Sequence, residues 1–174
     1  MFKDKVDIAG ASDLPVANAA MTRKDFKIIA GICSTDNVNS IIARKDAGIS
    51  EIIDLKGKRI ATQQNSAVHY FLHLFLLTNL IAEKDVNLSF MNAENIPESI
   101  VSGRIDAFSM REPYIGQAKK VLKHNHLIFS SPGLYKQYDL LLVTESLLDQ
   151  YPDSACRILK ALVEAEQFLA TFNI

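Results

Sequence analysis

Apolar positions along this chain recur with two periods. Short β-branched and aromatic runs of four to eight residues alternate with stretches in which apolar residues return every three or four positions. The pattern is clearest from Asp54 to Leu80. Asp54-Leu55-Lys56-Gly57-Lys58 reads as a turn, Arg59 to Thr62 as a short strand, and Gln63-Gln64-Asn65-Ser66 as a polar loop opening an apolar helix of about four turns. Asn65 or Ser66 is a natural N-cap. Backbone N–H groups of the first helical turn have no partner inside the helix and point outward with partial positive charge, which suits a carboxylate, sulfonate or phosphate.

The same grammar runs through the rest of the chain. Val6 to Gly10 predicts a short buried strand with nothing before it to pair with, which reads as a truncated start. Ala11-Ser12-Asp13 turns into a helix at Leu14 to Ala20, with Ser12 or Asp13 as its cap and Pro15 in its first turn. Phe26 to Cys33 is an apolar strand ending in the polar cluster Ser34-Thr35-Asp36-Asn37, and Ser40 to Arg44 is another strand. Val86 to Met91 alternates like a strand, and Pro97 to Val101 is a short helix stopped by Gly103. Ile105 to Met110 is a strand whose turn, Arg111-Glu112-Pro113-Tyr114, enters a helix over Ile115 to Lys123. Leu127 to Ser130 and Leu140 to Thr144 are strands, and Pro152-Asp153-Ser154 opens a long amphipathic helix to about Phe172. Strands alternating with helices predict an α/β fold with a largely parallel sheet. Ligands of such sheets sit beyond the carboxyl ends of the strands, where the Ser12, Ser34, Asn65 and Arg111 turns fall.

Composition narrows the function classes. The 174 residues suffice for one sizeable core or two small lobes. With 19 basic and 20 acidic residues, no basic excess points to nucleic acid, and no basic amphipathic helix points to a membrane surface. The most apolar stretch, Val68 to Ile81, is interrupted by His69, His73, Thr78 and Asn79 and reads as a core helix, too short and polar for a bilayer. Cys33 and Cys156 form neither a disulfide framework nor a zinc knuckle and are expected as buried free thiols. Met1 to Lys5 carries no apolar segment of a signal peptide, so location is not read from this start.

Few residues suggest chemistry. His69 and His73 are spaced i, i+4, as two imidazoles on one metal would be, but Tyr70 stands where a zincin has glutamate and no third ligand is near; no metal is expected. There is no Gly-rich phosphate loop, nucleophile elbow or Cys-His pair, so no catalysis and no cofactor is expected. Arg111 follows a strand and could fork onto an oxyanion; the alternative is an ion pair with Glu112 or a neighbouring loop. Tyr114 could wall a pocket or pack in the core.

Five stretches together resemble one family. They are Val6 to Asp13, Asp54 to Ala61, Ser66 with His69, Ser102 to Phe108, and Glu112-Pro113-Tyr114. In this order and spacing they are similar to the periplasmic substrate-binding proteins of bacterial ABC importers for aliphatic sulfonates, taurine, nitrate or thiamine-pyrimidine precursors. The resemblance implies a type II periplasmic-binding-protein fold: two lobes that close on a solute about a two-strand hinge. The hinge is expected at Ser40 to Arg44 and Leu140 to Thr144, with residues 1–44 and 140–174 forming an incomplete first lobe and 45–139 the second.

The implied function is the solute-binding component of an importer, periplasmic or anchored at the cell surface, handing a small anionic or polar solute to a membrane permease. By position, Ser12 and Asp13 match the first-lobe turn and Ser66 with Ala67 the helix-start turn of the second lobe. Arg111 stands where many members have tryptophan, which favours an anionic or strongly polar ligand, and Asn65 where glycine is common. With Ser34, Glu112 and Tyr114 these complete the expected ligand contacts. The Cys-rich motif of synthase members is absent. A sensory module or an enzyme on the same scaffold are the alternatives, and a homodimer is one way to complete the first lobe.

Overall fold

A computed structural model describes residues 6–172; Met1 to Lys5, where a signal segment was sought, lie outside the described residues. The described residues up to Ser34, together with those from Tyr138 onward, form one compact unit, and Thr35–Gln137 form a second. The expected hinge strand Ser40–Arg44 therefore lies wholly in the second unit.

In the first unit, strands β1 (Ile8–Ser12), β8 (Gln137–Thr144) and β2 (Phe26–Thr35) form a three-stranded sheet in the order β1-β8-β2. β1 pairs antiparallel with β8 from Ile8 opposite Val143 to Ser12 opposite Asp139. The first strand thus finds its partner more than a hundred residues later in the chain, and as an edge strand it is half-exposed rather than buried. Helix α1 (Asp13–Thr22) adds a small core of Val16, Phe26 and Leu142. Helices α5 (Glu145–Gln150) and α6 (Asp153–Ala170) complete the unit. Cys33 and Cys156 are both exposed, contrary to expectation, because Cys33 lies on the exposed edge strand β2 and α6 contributes no buried residue.

The second unit is built on β3 (Ser40–Arg44), β4 (Arg59–Thr62), β5 (Asn87–Phe90), β6 (Ala107–Met110) and β7 (His126–Ser130), in the sheet order β5-β4-β6-β3-β7. β4 is parallel to both β5 and β6, whereas β3 is antiparallel to both β6 and β7. The sheet is mixed, a correction to the largely parallel one expected. Alternate residues of each strand feed two cores: Ile41, Ile60 and Ala107 face one, and Ile42, Ala61 and Phe108 the other. Burial on both faces is why these strands read as continuous apolar runs.

Helix α2 (Ala67–Thr78) packs on the first core with Phe71, Leu72, Phe75 and Leu76, the i, i+1, i+4, i+5 stripe of an amphipathic helix. Helices α3 (Ile96–Val101) and α4 (Tyr114–Leu122) cover the second with Ile96, Ile100, Ile115 and Ala118. α3 ends as expected at Gly103, whose φ of 73° lets the Arg104 N–H reach the Ser99 carbonyl at 3.0 Å; a Cβ there would stand 2.7 Å from Arg44 Nη1.

α2 ends in the same motif with a less suitable residue. The Ile81 N–H reaches the Leu76 carbonyl at 2.9 Å and the Leu80 N–H the Leu77 carbonyl at 3.1 Å, which places Leu80 in the left-handed region at φ 57°. Leu80 is 87% exposed, so its side chain gains little in return. Leu80→Gly is expected to stabilise the protein by about 1 kcal/mol, read as a higher denaturation midpoint with unchanged slope.

Candidate functional site at the carboxyl edge of the five-stranded sheet

Strand direction decides which loops meet. Ser40 pairs with both Met110 and Ser130, and Thr62 pairs with Phe90. One edge of the sheet therefore displays, in order, the ends of β5, β4 and β6, the start of β3 and the end of β7. Asn92, Gln63, Arg111, Asn37 and Ser130 gather there although they are scattered over more than ninety residues of sequence. Two buried hydroxyls tie this edge together: Thr62 on β4 donates to the Ser109 carbonyl on β6 at 3.3 Å, and Ser109 donates to the Val68 carbonyl of α2 at 2.8 Å.

Two concavities open at the edge, and Arg111 lines both. The first, of about 420 Å³, combines polar Asn37, Ser40, Ser130 and Lys119 with Val38, Ile115 and Ile128. The second, of about 460 Å³, is lined by Gln63, Asn92, Glu94 and Tyr114. Among the described residues no carboxylate takes the Arg111 guanidinium. Glu112 turns away to accept the Gly116 N–H at 2.9 Å, and a Cβ at residue 116 would stand only 2.8 Å from its Oε2. Tyr114 lines the second concavity and also packs against the adjoining core.

The other expected contacts are placed as follows. Asn65, exposed at φ 54°, adopts the left-handed turn that asparagine tolerates. Ser66 caps α2: its hydroxyl donates to the Gln63 carbonyl and accepts the His69 N–H at 3.4 Å. Ala67, the first residue of α2, is 1% exposed. Ser12, Asp13 and Ser34 belong to the first unit. Ser12 occupies the N-cap position of α1 without a side-chain capping bond, Asp13 Oδ1 accepts the Leu14 N–H at 2.9 Å, and Ser34 is exposed on β2. Gln63, Asn92, Asn37, Ser40, Ser130 and Lys119 were not singled out from sequence. The signal available was that each of the first five lies at or just beyond a strand end.

Two sequence features prove structural. His69 Nε2 and His73 Nδ1 lie 3.4 and 3.1 Å from the two oxygens of Glu83, so the i, i+4 pair grips a carboxylate. Burial pushes the Glu83 carboxyl up, but the hydrogen bonds from His73 and His69 outweigh it and hold it below its ordinary range. Among the described residues, no three His, Cys, Asp or Glu side chains are placed to hold a metal ion. Arg59 and Asp106, each within a stretch that carries the family resemblance, pair at the opposite edge of the sheet, with Arg59 Nη2 2.6 Å from Asp106 Oδ1.

Residues 2–171 match the family model described as NMT1/THI5 like. The chain belongs to the NMT1/THI5-like family. A Bacillus subtilis relative named for binding aliphatic sulfonates is 28% identical over 165 residues, which is 93% of this chain and 49% of that protein. An Escherichia coli relative of the same name is 21% identical over 113 residues, covering 65% of this chain and 35% of the relative. The chain thus spans about half or less of the length of these relatives.

Among solved structures, the alkanesulfonate-binding protein SsuA from Xanthomonas axonopodis bound to MOPS superposes with a TM-score of 0.79, at 21% identity, covering 97% of this chain and 58% of that one. The periplasmic aliphatic sulphonate binding protein SsuA from Escherichia coli gives 0.72 at 16% identity, over 98% of this chain and 58% of that one. This family member therefore has the α/β fold of periplasmic binding proteins, and the relatives named here are binding proteins rather than enzymes. Among the described residues no helix is long and apolar enough to cross a membrane.

Proposed function

We propose that this chain belongs to the solute-binding component of an ABC-type importer, that it captures a small anionic or polar solute, a sulfonate first among them, and that it passes the solute to a membrane permease. The observation that carries this reading is Arg111: an exposed arginine with no ion pair among the described residues, shared by two concavities at the carboxyl edge of the sheet. Its planar fork of donors matches two oxygens of an oxyanion. Ser40, Ser130, Asn37, Gln63 and Asn92 supply hydroxyl and amide donors around it, and Ala67 at the start of α2 supplies a backbone N–H. Asn65, Ser66, Glu112 and Tyr114 shape this edge, while Ser12, Asp13 and Ser34 are proposed contacts from the first unit. In this reading the protein works outside the cytoplasmic membrane, as the periplasmic name of the Escherichia coli structural neighbour suggests.

Isothermal titration of the protein with ethanesulfonate, taurine and 1-butanesulfonate tests it. At least one should bind, and Arg111→Ala should weaken that binding roughly tenfold to a hundredfold, as expected for a charged hydrogen-bond donor, without moving the ligand-free melting temperature. Failure of all three to bind, or binding indifferent to Arg111→Ala, would refute the reading.

A further inference from the structure

The 420 Å³ concavity holds more than one cation. Lys119 lines it together with Arg111. Like Arg111, the Lys119 side chain is exposed and has no hydrogen bond or ion pair among the described residues. The one carboxylate of the lining, Glu112, is committed to the Gly116 N–H. Two cations thus face a single engaged anion.

Their arrangement is linear. Arg111 stands just before α4, and Ile115 and Lys119 follow it at intervals of four residues, so all three can line one face. From Ile115 to Lys119 the helix rises about 6 Å, and Arg111 stands a further four residues before Ile115. Beside the two cations, apolar Ile115, Val38 and Ile128 share the lining with polar Asn37, Ser40 and Ser130.

We infer that Lys119 is a specificity-determining residue, and that this concavity selects solutes carrying an anionic group at each end of a short apolar chain. One end pairs with Arg111, the methylenes lie along Ile115, Val38 and Ile128, and the other end pairs with Lys119. This rests on the reading of Arg111 as the anion-binding group, and it adds the solute's second charge. The gain from Lys119 is modest, because an exposed ion pair is worth up to about 1 kcal/mol, roughly fivefold in affinity, and falls as salt rises.

The test compares 1,4-butanedisulfonate, 1-butanesulfonate and 4-amino-1-butanesulfonate by titration at low and at 0.5 M salt. The disulfonate should bind roughly fivefold tighter than the monosulfonate at low salt, with the preference shrinking at high salt. Lys119→Gln should abolish the preference by weakening the disulfonate more than the monosulfonate, and Lys119→Glu should turn it into a penalty. Lys119 is exposed, so neither variant should alter the fold, which a melting curve checks. Equal affinities for the mono- and disulfonate, tighter binding of the aminosulfonate, or a Lys119→Gln effect common to all ligands would overturn the dianion inference while leaving sulfonate capture standing. No binding of any of the three would sink both.

Discussion

Phe75→Ala is expected to lower the unfolding free energy by about 3 to 5 kcal/mol. Phe75 is 2% exposed, lies in the middle of α2, and faces the core that also holds Ile41, Ile60 and Ala107. Its ring centroid is 5.9 Å from that of Phe71 and 6.4 Å from that of Phe129 on β7, so the side chain joins the helix to a strand of the sheet beneath it. Truncation removes this apolar burial and leaves a cavity that the surrounding sheet, fixed by its ladder hydrogen bonds, cannot collapse to fill. Leu77, 58% exposed on the same helix, provides the contrast, and Leu77→Ala should cost less than about 1 kcal/mol. Urea denaturation of both variants reads the difference, and a cost below 1 kcal/mol for Phe75→Ala would mean that the core lies elsewhere. Because α2 begins at the carboxyl edge of the sheet, this variant should also weaken ligand binding indirectly, through partial unfolding.

Asp106→Ala should cost about 2 to 3 kcal/mol by a different mechanism. The Asp106 carboxylate is 9% exposed and accepts three bonds from one residue: the Arg59 backbone N–H at 2.9 Å, Nε at 3.0 Å and Nη2 at 2.6 Å. In return the Asp106 N–H donates to the Arg59 carbonyl at 2.8 Å, so this clamp sets the register of the parallel strands β4 and β6. Alanine leaves the donors of Arg59 without their acceptor; about half of the Arg59 side chain is exposed and can rehydrate, which keeps the cost below that of a fully buried pair.

The same clamp fixes the sign of a pH dependence. The side-chain hydrogen bonds from Arg59 hold the Asp106 carboxyl below its ordinary value of 3.8, outweighing burial, which pushes it up. A carboxyl whose folded pKa is depressed contributes stability that is fully present above the unfolded value and is lost as pH falls through the folded one. The stability difference between wild type and Asp106→Asn should therefore be constant above about pH 5 and shrink below pH 4. A difference that grows on acidification would contradict the assignment.

The carboxyl edge depends on both variants but contains neither residue. Phe75 and Asp106 act through the frame, whereas Arg111 and Lys119 are proposed to act on the solute, so melting and titration separate the two groups. A variant of the frame should move both readouts. A variant of the edge should move titration alone.

Local features were legible in the sequence because their causes are local. The 3.6-residue stripe of α2, the Ser66 cap, the Gly103 stop and the continuous apolar run of β3 each arise from hydrogen bonds or side-chain periodicity within a few residues. Arg111 stood out for a local reason too, as a cation at a strand-to-helix turn. The short helix α5 escaped notice, since six residues carry too little periodicity to separate a helix from a turn.

What the chain could not specify locally is which strands lie side by side and in which direction. The antiparallel placement of β3 between β6 and β7, and the pairing of β1 with β8, are long-range choices governed by two-sided burial and by the register that keeps apolar residues on the core faces. Those choices decide that Gln63, Asn92, Asn37 and Ser130 join Arg111 and that Lys119 lines one of its concavities. By itself the sequence determined most of the elements, the Ser66 cap, the family and an arginine at a strand-to-helix turn. Only the tertiary structure decided which polar groups surround that arginine, because proximity between distant residues follows from strand order, and strand order is a property of the whole sheet.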